Sequence, residues 1–292
     1  MGATMAAKRR SRSRARRRRR RPPRGQHFLV APGIRGQILG WLNCQPTDCW
    51  LEIGAGHGEM TLLLAEASGC VAAVEPDPKL AETLRQRLGG FSRARVIEGN
   101  ILEISLGGLC RELNCARWRV YGNLPYYITS PILRHLFRAA EAITDIHVVV
   151  QREVAERLAA RPRRRDYGYL SVLTQFHTKP EILQPIPRGA FRPPPQVESA
   201  LVRLVPPGAQ ATLGVEEADA FLRFVQSCFR QKRKTLLNNL HPPYQSVQVK
   251  AALAAAGLSP RSRAEELSLE EFAQLHRFLS RARRLVVPSE PL

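Results

Sequence analysis

The sequence has no C-x-x-C cysteine pair, no long uninterrupted apolar run and few acidic residues. Crossing a bilayer takes roughly 18 or more apolar residues in succession, so we expect no membrane segment. No apolar signal segment precedes the six cysteines, which favours reduced thiols and a cytoplasmic location. Two C-x4-C pairs, Cys44 with Cys49 and Cys110 with Cys115, leave a four-thiolate site open. Structural zinc sites use tighter spacings, so we expect no bound metal.

The shortage of acidic residues gives the chain a strong positive charge. Its 292 residues include 45 Lys and Arg against 25 Asp and Glu, for a net charge of +20. Twelve of the positive charges lie between positions 8 and 24, and subtracting them leaves +8 on the remainder. Both parts of the chain are therefore basic. A polyanionic partner is predicted, since each neutralised phosphate releases counterions and adds affinity.

Residues 1–25 contain no acidic side chain and consist almost entirely of Arg, Ser, Ala, Pro and Gly. Such a composition cannot bury enough apolar surface to fold alone, so we interpret it as a disordered basic arm that adds non-specific affinity for RNA. A mitochondrial transit peptide is the alternative. Transit peptides need an apolar helical face, and this stretch has no Leu, Ile, Phe or Val.

After position 48, short apolar runs alternate with segments of helical periodicity. Strands are predicted at 49–53, 71–75, 95–98, 119–121 and 146–151, with helices at 59–68, 78–88, 131–140 and 153–161. This α/β alternation predicts a Rossmann-like parallel sheet with helices on both faces. Segments 181–186 and 200–205 resemble a closing pair of strands, and residues 206–208 end the sheet. We expect a catalytic domain at 26–208 and a small all-helical domain at 209–292.

A glycine-rich loop follows the first of these strands and precedes a helix. Glycines such as Gly54 let the chain turn sharply and allow a ligand to contact the main chain. Glu75 ends the next strand, 21 residues further on, where a carboxylate can accept both ribose hydroxyls of an adenosine cofactor. Asn100 lies after the following strand, at the expected position of the adenine. A dinucleotide remains open, but its pyrophosphate prefers a G-x-G-x-x-G loop.

The string Asn123-Leu124-Pro125-Tyr126 follows another predicted strand, at the edge where open α/β sheets bind ligands. An Asn oxygen and a nearby backbone carbonyl can each accept one N–H of an adenine amine, which localises its lone pair toward a methyl donor. Pro125 fixes the direction of the carbonyl, and Tyr126 offers a flat face to a base that has left its stack.

Phe191 is a second aromatic candidate for holding the base. It precedes three consecutive prolines, which stiffen the loop and could hold the ring against the other face of the base. Alone, such a residue is more often part of a core. A sulfonium methyl donor is already activated, so the reaction calls for no metal or acid–base group.

With these residues identified, the chain resembles the KsgA-type small-subunit rRNA adenine N6-dimethyltransferases. The resemblance runs in order from position 26 to about position 240 and rests on seven blocks. They are Gly25-Gln26-His27-Phe28-Leu29, Glu52-Ile53-Gly54-Ala55-Gly56, Val74-Glu75, Asn123-Leu124-Pro125-Tyr126, Gln151-Arg152-Glu153-Val154-Ala155, Phe191-Arg192-Pro193-Pro194-Pro195-Gln196-Val197-Glu198-Ser199-Ala200 and Phe229-Arg230-Gln231-Lys232-Arg233-Lys234-Thr235-Leu236.

The resemblance implies a seven-strand class I methyltransferase fold and a helical domain that docks on rRNA. It implies transfer of methyl groups from S-adenosylmethionine to two adjacent adenines of 16S rRNA in the immature small ribosomal subunit, by a monomer. The implied cofactor contacts are His27, Leu29, Gly54, Glu75, Asn100 and Asn123. The family pattern has Asn at position 27 and Asp at position 100, so the substitutions here put cofactor affinity in doubt more than cofactor identity.

Four basic residues open the helical region: Arg230, Lys232, Arg233 and Lys234. We expect them to orient the enzyme on structured rRNA, although a solvated helix face is the more common fate of such a run. Two other functions stay open. One is a large-subunit rRNA methyltransferase of the antibiotic-resistance type, and the other is a nucleic-acid-binding factor that has lost catalysis. The Phe229–Leu236 block disfavours the first, and the intact Asn123–Tyr126 block disfavours the second.

Overall fold

The structure of the protein is a computed structural model that describes residues 27–125 and 127–284. The basic arm and Tyr126, both used in the sequence predictions, lie outside the described residues. The strands are β1 (Phe28–Leu29), β2 (Cys49–Ile53), β3 (Cys70–Glu75), β4 (Ala94–Glu98), β5 (Trp118–Asn123), β6 (Ile143–Gln151), β7 (Lys179–Ile186), β8 (Phe191–Arg192) and β9 (Ser199–Val205). The helices are α1 (Pro32–Leu42), α2 (Glu59–Ala67), α3 (Pro78–Arg87), α4 (Leu106–Glu112), α5 (Thr129–Arg138), α6 (Arg152–Ala159), α7 (Tyr169–His177), α8 (Gln210–Leu213), α9 (Ala218–Cys228), α10 (Leu236–Asn239), α11 (Ser246–Ala255) and α12 (Leu269–Arg284).

Seven strands form one sheet in the order β4-β3-β2-β5-β6-β9-β7. Strands β2 to β6 are parallel, and β9 runs antiparallel to both of its neighbours. All six residues of β3 are buried, as expected for a strand covered by helices on both faces. The predicted α/β fold with a closing strand pair is confirmed.

The carboxyl ends of the parallel strands share one edge of the sheet, here called the carboxyl edge. After β2 the chain continues to β3 on one side, whereas β5 pairs on the other side of β2. The order of the strands therefore reverses between β2 and β5. Ligands of open α/β sheets bind in the crevice at such a reversal.

Four features of the catalytic region do not follow from the sequence patterns. Helix α1 lies before the first predicted strand, α4 lies between β4 and β5, and α7 lies between α6 and β7. The two-residue strands β1 and β8 pair with each other outside the main sheet, with Leu29 opposite Phe191. This small pair brings the N-terminal segment to the Pro-rich loop at the carboxyl edge.

The C-terminal helices pack directly on the sheet. One continuous apolar core contains Val120 of the sheet, Phe176 of α7, Phe221 of α9 and Phe272 of α12. The Tyr167 hydroxyl, before α7, donates to the main chain shortly before α12 at 2.9 Å. The helical region is thus joined to the sheet by shared core packing, and the domain boundary after residue 208 stays a prediction.

All six cysteines are free thiols, as predicted. Within residues 27–125 and 127–284, no helix is long and apolar enough to cross a membrane. The same residues include no group of three or more His, Cys, Asp or Glu side chains that could hold a metal ion.

Candidate active site

The glycine-rich loop after β2 takes a backbone conformation that favours glycine. Gly54 and Gly56 have φ angles of +71° and +59°, in the left-handed region. A Cβ on Gly56 would come within 3.0 Å of the Phe28 ring, whereas one on Gly54 would meet no atom within 4 Å. The amides of Gly54 and Ala55 both donate to the carbonyl of Val74. The loop is therefore held from β3, and open space at Gly54 allows a ligand to approach the main chain.

Glu75 joins this loop to the end of β3. One oxygen of its carboxylate accepts from the Gly56 amide at 2.8 Å, and the other accepts from the Asp77 amide at 3.0 Å. Burial raises the pKa of the Glu75 carboxyl, while the two amide hydrogen bonds lower it. A carboxylate has about four acceptor positions, so two protein donors leave capacity for the hydroxyls of a ribose. The remaining acceptor positions of Glu75 fit the ribose of an adenosine-containing cofactor.

Asn100 lies at the carboxyl edge, two residues after the end of β4, and follows Gly99, whose amide donates to the Glu75 carbonyl at 3.1 Å. Its Oδ1 accepts from the Leu102 amide at 3.1 Å, which caps a short 3-10 turn, and its Nδ2 donates to Glu103. An amide oxygen can accept a second hydrogen bond. Asn100 therefore has a structural role here and keeps the acceptor that an adenine amine would need.

Asn123 is the last residue of β5 and is anchored to the N-terminal segment. Its Nδ2 donates to the main-chain oxygen of His27 at 2.7 Å, although the two residues are 96 positions apart. This bond fixes the plane of the Asn123 side-chain amide, and with it the position of the amide oxygen, Oδ1. Asn123 is half-buried, so the side chain lies between the core and the edge where a ligand would enter.

The two residues after Asn123 differ in what they offer. Leu124 is 1% exposed and its side chain belongs to the core, so only its main chain can contribute to the site. The Pro125 carbonyl accepts from the Ile128 amide and from the Thr129 hydroxyl, at 3.2 and 3.0 Å, in the turn that starts α5. The Leu124 carbonyl is therefore the better candidate for an amine acceptor. Tyr126 lies outside the described residues.

Phe191 and the Pro-rich loop form the wall next to Asn123. The Phe191 ring is 1% exposed and packs in a core cluster with Leu29, the residue opposite it. Stacking on a base would require that ring to become accessible, so the predicted role of Phe191 stays a prediction. His27 is bound to the same Pro-rich loop, because its Nδ1 donates to the Pro193 carbonyl at 2.7 Å. Leu29, named as a cofactor contact, is 6% exposed.

Glu52 is a buried carboxyl near the loop, and it lies in one of the seven family blocks without a role predicted from the sequence. It lies two residues before Gly54, is 3% exposed and faces Tyr121 across the β2–β5 pair. Burial raises its pKa to about 8, and the nearby Glu59 and Glu75 carboxylates also act to raise it. At neutral pH this carboxyl therefore carries its proton. A charged residue within an otherwise apolar strand was the sequence signal for it.

Two of the sequence blocks meet on the other side of the site. The Arg152 guanidinium forms ion pairs with Glu156 at 3.0 Å and with Glu198 at 3.1 Å. The Arg152 amide also donates to the Glu198 carbonyl, and Gln151 pairs with Ser199 between β6 and β9. Both ion pairs are exposed and contribute little to stability, so it is mainly the main-chain bonds that hold the start of α6 against the end of the Pro-rich loop.

Three separate segments converge on one exposed surface of positive charge. We call this the basic surface, and its residues are Arg161, Arg163, Arg164, Arg165, Arg230, Lys232, Arg233, Lys234, Arg261 and Arg263. The Lys232 Nζ donates to the Arg165 carbonyl at 2.8 Å. The Leu236 amide donates to the Ser262 carbonyl at 2.9 Å, and the Arg163 amide to that of Glu265 at 2.8 Å.

The basic surface extends the predicted cluster at 230–234. The Arg230 guanidinium donates to the carbonyls of Asn239 and His241, at 3.2 and 3.4 Å, so it also ties the end of α10 in place. The segments 161–165 and 261–263 were missed because each lies far along the chain from position 230. Only the folded structure brings the ten charges together.

Comparisons with known proteins identify chains of similar sequence. The sequence model of a family described as Ribosomal RNA adenine dimethylase matches residues 17–281. A protein of Acidobacterium capsulatum named Ribosomal RNA small subunit methyltransferase A is 44% identical over 260 residues, covering 89% of this chain and 91% of that protein. A protein of Moorella thermoacetica with the same name is 38% identical over 266 residues, covering 89% and 92%.

Two solved structures share the fold. The 23S rRNA methyltransferase ErmE aligns with a TM-score of 0.63 at 27% identity, over 87% of this chain and 99% of that one. A dimethyladenosine transferase from Plasmodium falciparum aligns with a TM-score of 0.69 at 23% identity, over 85% and 96%. The sheet and the C-terminal helices together therefore form a class I methyltransferase architecture.

Proposed function

The chain belongs to the ribosomal RNA adenine dimethylase family, and we propose that it transfers methyl groups from S-adenosylmethionine to the N6 amines of two adjacent adenines in small-subunit rRNA. The observation that carries this proposal is the position of Asn123. Its amide is fixed by His27 at the carboxyl edge, beside the glycine-rich loop and Glu75.

The cofactor is proposed to lie against the loop at Gly54 and Gly56. Glu75 would accept the ribose hydroxyls with the acceptor positions that the two amides leave, and Asn100 would accept from the adenine amine. His27 and Leu29 would close the site from the N-terminal segment. When bound, S-adenosylmethionine supplies an electrophilic methyl group.

The chain's own part in the reaction is to hold and orient the target amine. Asn123 Oδ1 and the Leu124 carbonyl would each accept one N–H of that amine. Two acceptors at fixed positions pull its lone pair out of conjugation with the ring, and they bind more strongly as the nitrogen becomes tetrahedral. The surplus proton then leaves to water, so no side chain has to act as a base.

The proposed substrate particle is the immature small ribosomal subunit. We propose that a monomer of this chain binds it in the cytoplasm. The Acidobacterium capsulatum and Moorella thermoacetica relatives, at 44% and 38% identity, are both named for the small subunit. The large-subunit enzyme ErmE is 27% identical to this chain. The small subunit is therefore the favoured substrate, and the basic surface is the proposed docking region for its rRNA.

Methyl transfer by the purified chain tests this function. Small-subunit particles lacking adenine dimethylation are incubated with methyl-labelled S-adenosylmethionine, and the rRNA is digested and analysed by mass spectrometry. Labelled N6,N6-dimethyladenosine is the expected product, and large-subunit particles serve as the matched control substrate. Label on another base, or on the large subunit alone, would contradict the proposal.

A further inference from the structure

One exposed aromatic ring lies beside the candidate active site and has no part in the proposed chemistry. The Tyr127 side chain is 66% exposed, the largest fraction for any Phe, Trp or Tyr in the described ranges. It lies in the turn before α5, next to Ile128, whose amide donates to the Pro125 carbonyl at 3.2 Å. Its α-carbon is three residues from that of Leu124 and therefore at most about 11 Å away. Tyr127 thus lies at the carboxyl edge, near the proposed acceptors of the target amine but outside the core.

Exposed apolar side chains are grouped at this edge of the sheet. Six large ones are exposed in the part of the chain that the structure describes, and three belong to segments at the carboxyl edge: Val30, Tyr127 and Val197. Val30 directly follows β1, and its amide donates to the Ala190 carbonyl next to β8. Val197 lies two residues before Ser199, which pairs with the last residue of β6. Exposed apolar surface that is grouped, and not scattered singly, marks a binding site.

Positive charge lies at the same edge. Arg192 is exposed and directly precedes Pro193, whose carbonyl accepts from His27 Nδ1 at 2.7 Å. The main-chain oxygen of His27 accepts in turn from Asn123 Nδ2, also at 2.7 Å. Two hydrogen bonds therefore connect the segment of Arg192 to the amide that would hold the target amine. Since a guanidinium group suits a phosphate, the edge offers a ring for a base and a cation for its backbone.

The proposed reaction creates a need for such a ring. An adenine whose amine reaches Asn123 has left the base stack, so the neighbouring base loses its stacking partner on that side. An aromatic side chain offers a substitute face, and it accepts any base because every base has a π-face. Asn123 is half-buried whereas Tyr127 is exposed. The ring of Tyr127 is therefore placed for the neighbouring base and not for the target.

We propose that the ring of Tyr127 stacks on the base next to the target adenine, while Arg192 binds a phosphate of the same strand. The proposal rests on the proposed function, because it takes the adenine-bearing strand as the ligand. It assigns to these two residues the binding of that strand at the active site, separately from the basic surface. Neither residue takes part in methyl transfer itself.

Site-directed crosslinking locates the base that Tyr127 contacts. Tyr127 is replaced by a photoreactive phenylalanine analogue, and the full-length chain is irradiated on small-subunit particles that lack the methylation. The control places the same analogue at Trp41, an exposed aromatic residue of α1 whose Nε1 donates to Gln184 of β7. Crosslinks to the nucleotide directly before or after a dimethylated adenine are expected from position 127 and not from position 41. Crosslinks from position 127 only to other rRNA segments, or none above the control, would overturn the proposal.

Kinetics measures what the ring contributes to binding. Stacking of one base changes affinity by about 5- to 150-fold, so Tyr127→Ala should raise KM for the particle by a factor in that range. The kcat value and cofactor affinity should hold, because the contact is the same in the ground state and in the transition state. Tyr127→Phe keeps the ring and should behave as the wild type does. Trp41→Ala also removes an exposed ring and should leave KM unchanged.

Two kinetic results would refute the stacking role. One is a KM for Tyr127→Ala equal to that of the wild type. The other is a loss in Tyr127→Phe as large as that in Tyr127→Ala, since the ring is present in the first variant and absent from the second.

Salt dependence tests the charge at position 192. Arg192→Gln should lower the slope of log KM against log salt by about 0.7, the value for one single-strand phosphate that is no longer neutralised. Arg192→Lys keeps the charge and should keep most of the slope. An unchanged slope with glutamine would refute the assignment of Arg192 to the strand.

The two proposals fail in different ways. If the wild-type chain forms no dimethyladenosine in small-subunit rRNA, the proposed function itself is wrong. If it forms that product while the crosslinks from position 127 fall elsewhere, only the assignment of Tyr127 is wrong.

Discussion

At the scale of single residues, the amide of Asn123 makes the contact on which the proposed chemistry depends. Asn123→Ala removes the Oδ1 acceptor, whose interaction with the amine strengthens toward the transition state. We expect a fall of about two to three orders of magnitude in the single-turnover rate on small-subunit particles.

Because Asn123 also anchors His27, cofactor affinity and thermal unfolding are measured on the same Asn123→Ala protein. Both should change far less than the rate does. A near-normal rate would show that this edge is not the reacting site, and a loss of folding would point to the anchor instead.

Glu75 and Asp77 form a matched pair of acidic residues at the end of β3. Glu75→Gln removes the negative charge of the carboxylate whose two oxygens accept from the Gly56 and Asp77 amides. Asp77→Asn removes an equal charge while keeping an oxygen that can cap α3. We expect the first variant to weaken cofactor binding by roughly 1–3 kcal/mol in calorimetry and the second to have little effect. Equal affinities would reject the assignment of Glu75 to the ribose.

The buried carboxyl of Glu52 predicts how stability depends on pH. The folded protein holds this proton up to a pKa of about 8, whereas the ordinary value is 4.5. Between those values the folded state binds more protons than the unfolded chain does. Stability should therefore fall as pH rises through this window, by at most about 1.4 kcal/mol per pH unit.

Glu52→Gln stays neutral at every pH and should lose this dependence. Urea unfolding of the cofactor-free protein at pH 5 and pH 8 measures the difference, with the exposed Glu66→Gln as the control. The same slope in both variants would mean that Glu52 is ionised in the folded protein.

The positions of site residues could be predicted only where a motif marks the end of a strand. Spacing predicted that the glycine-rich loop, Glu75 and Asn123 lie at strand ends, and they do; their roles stay predictions. The burial of Leu124 and Phe191, and the hydrogen bond from Asn123 to His27, depend on partners far along the chain. Periodicity within a short window contains no such information.

At the scale of elements, strands β2, β3 and β6 were predictable because burial on both faces makes them largely apolar runs. Strand β2 matches the prediction at both ends, and β3 differs by one residue. Helix α1 was missed because it contains Gly33, Gly36 and Gly40, which are poor helix formers. The β1–β8 pair has two residues on each strand, too few to show an alternating pattern.

The basic surface is formed by residues from several segments of the chain, and its proposed role in docking rRNA can be tested separately. Charge reversal of Arg233 and Lys234 should raise KM for small-subunit particles about 10-fold or more, because two cations that neutralise phosphates become two anions that repel them. Cofactor affinity should be unchanged. The control reverses Lys250 and Arg277, exposed residues of α11 and α12 outside the basic surface, for an equal change in net charge. Equal effects of the two double variants would show that only net charge matters.

At the scale of the whole molecule, the sheet and the C-terminal helices share one core, so the proposed docking and reacting regions are held in a fixed relation. The core includes both Val120 of the sheet and Phe272 of α12. The α/β class and the helical C-terminal region could be predicted from the sequence. The shared core could not, because each apolar helix face is compatible with several partners until the chain is folded.

The central claim is that this protein dimethylates adenine in small-subunit rRNA. Mass spectrometry of that rRNA, from cells with and without the gene, tests it most directly. Two adjacent N6,N6-dimethyladenosines should be present with the gene, be absent without it, and return when the wild-type gene is supplied, whereas the Asn123→Ala gene should not restore them. Unaltered dimethyladenosine in cells without the gene, or a change confined to large-subunit rRNA, would contradict the account.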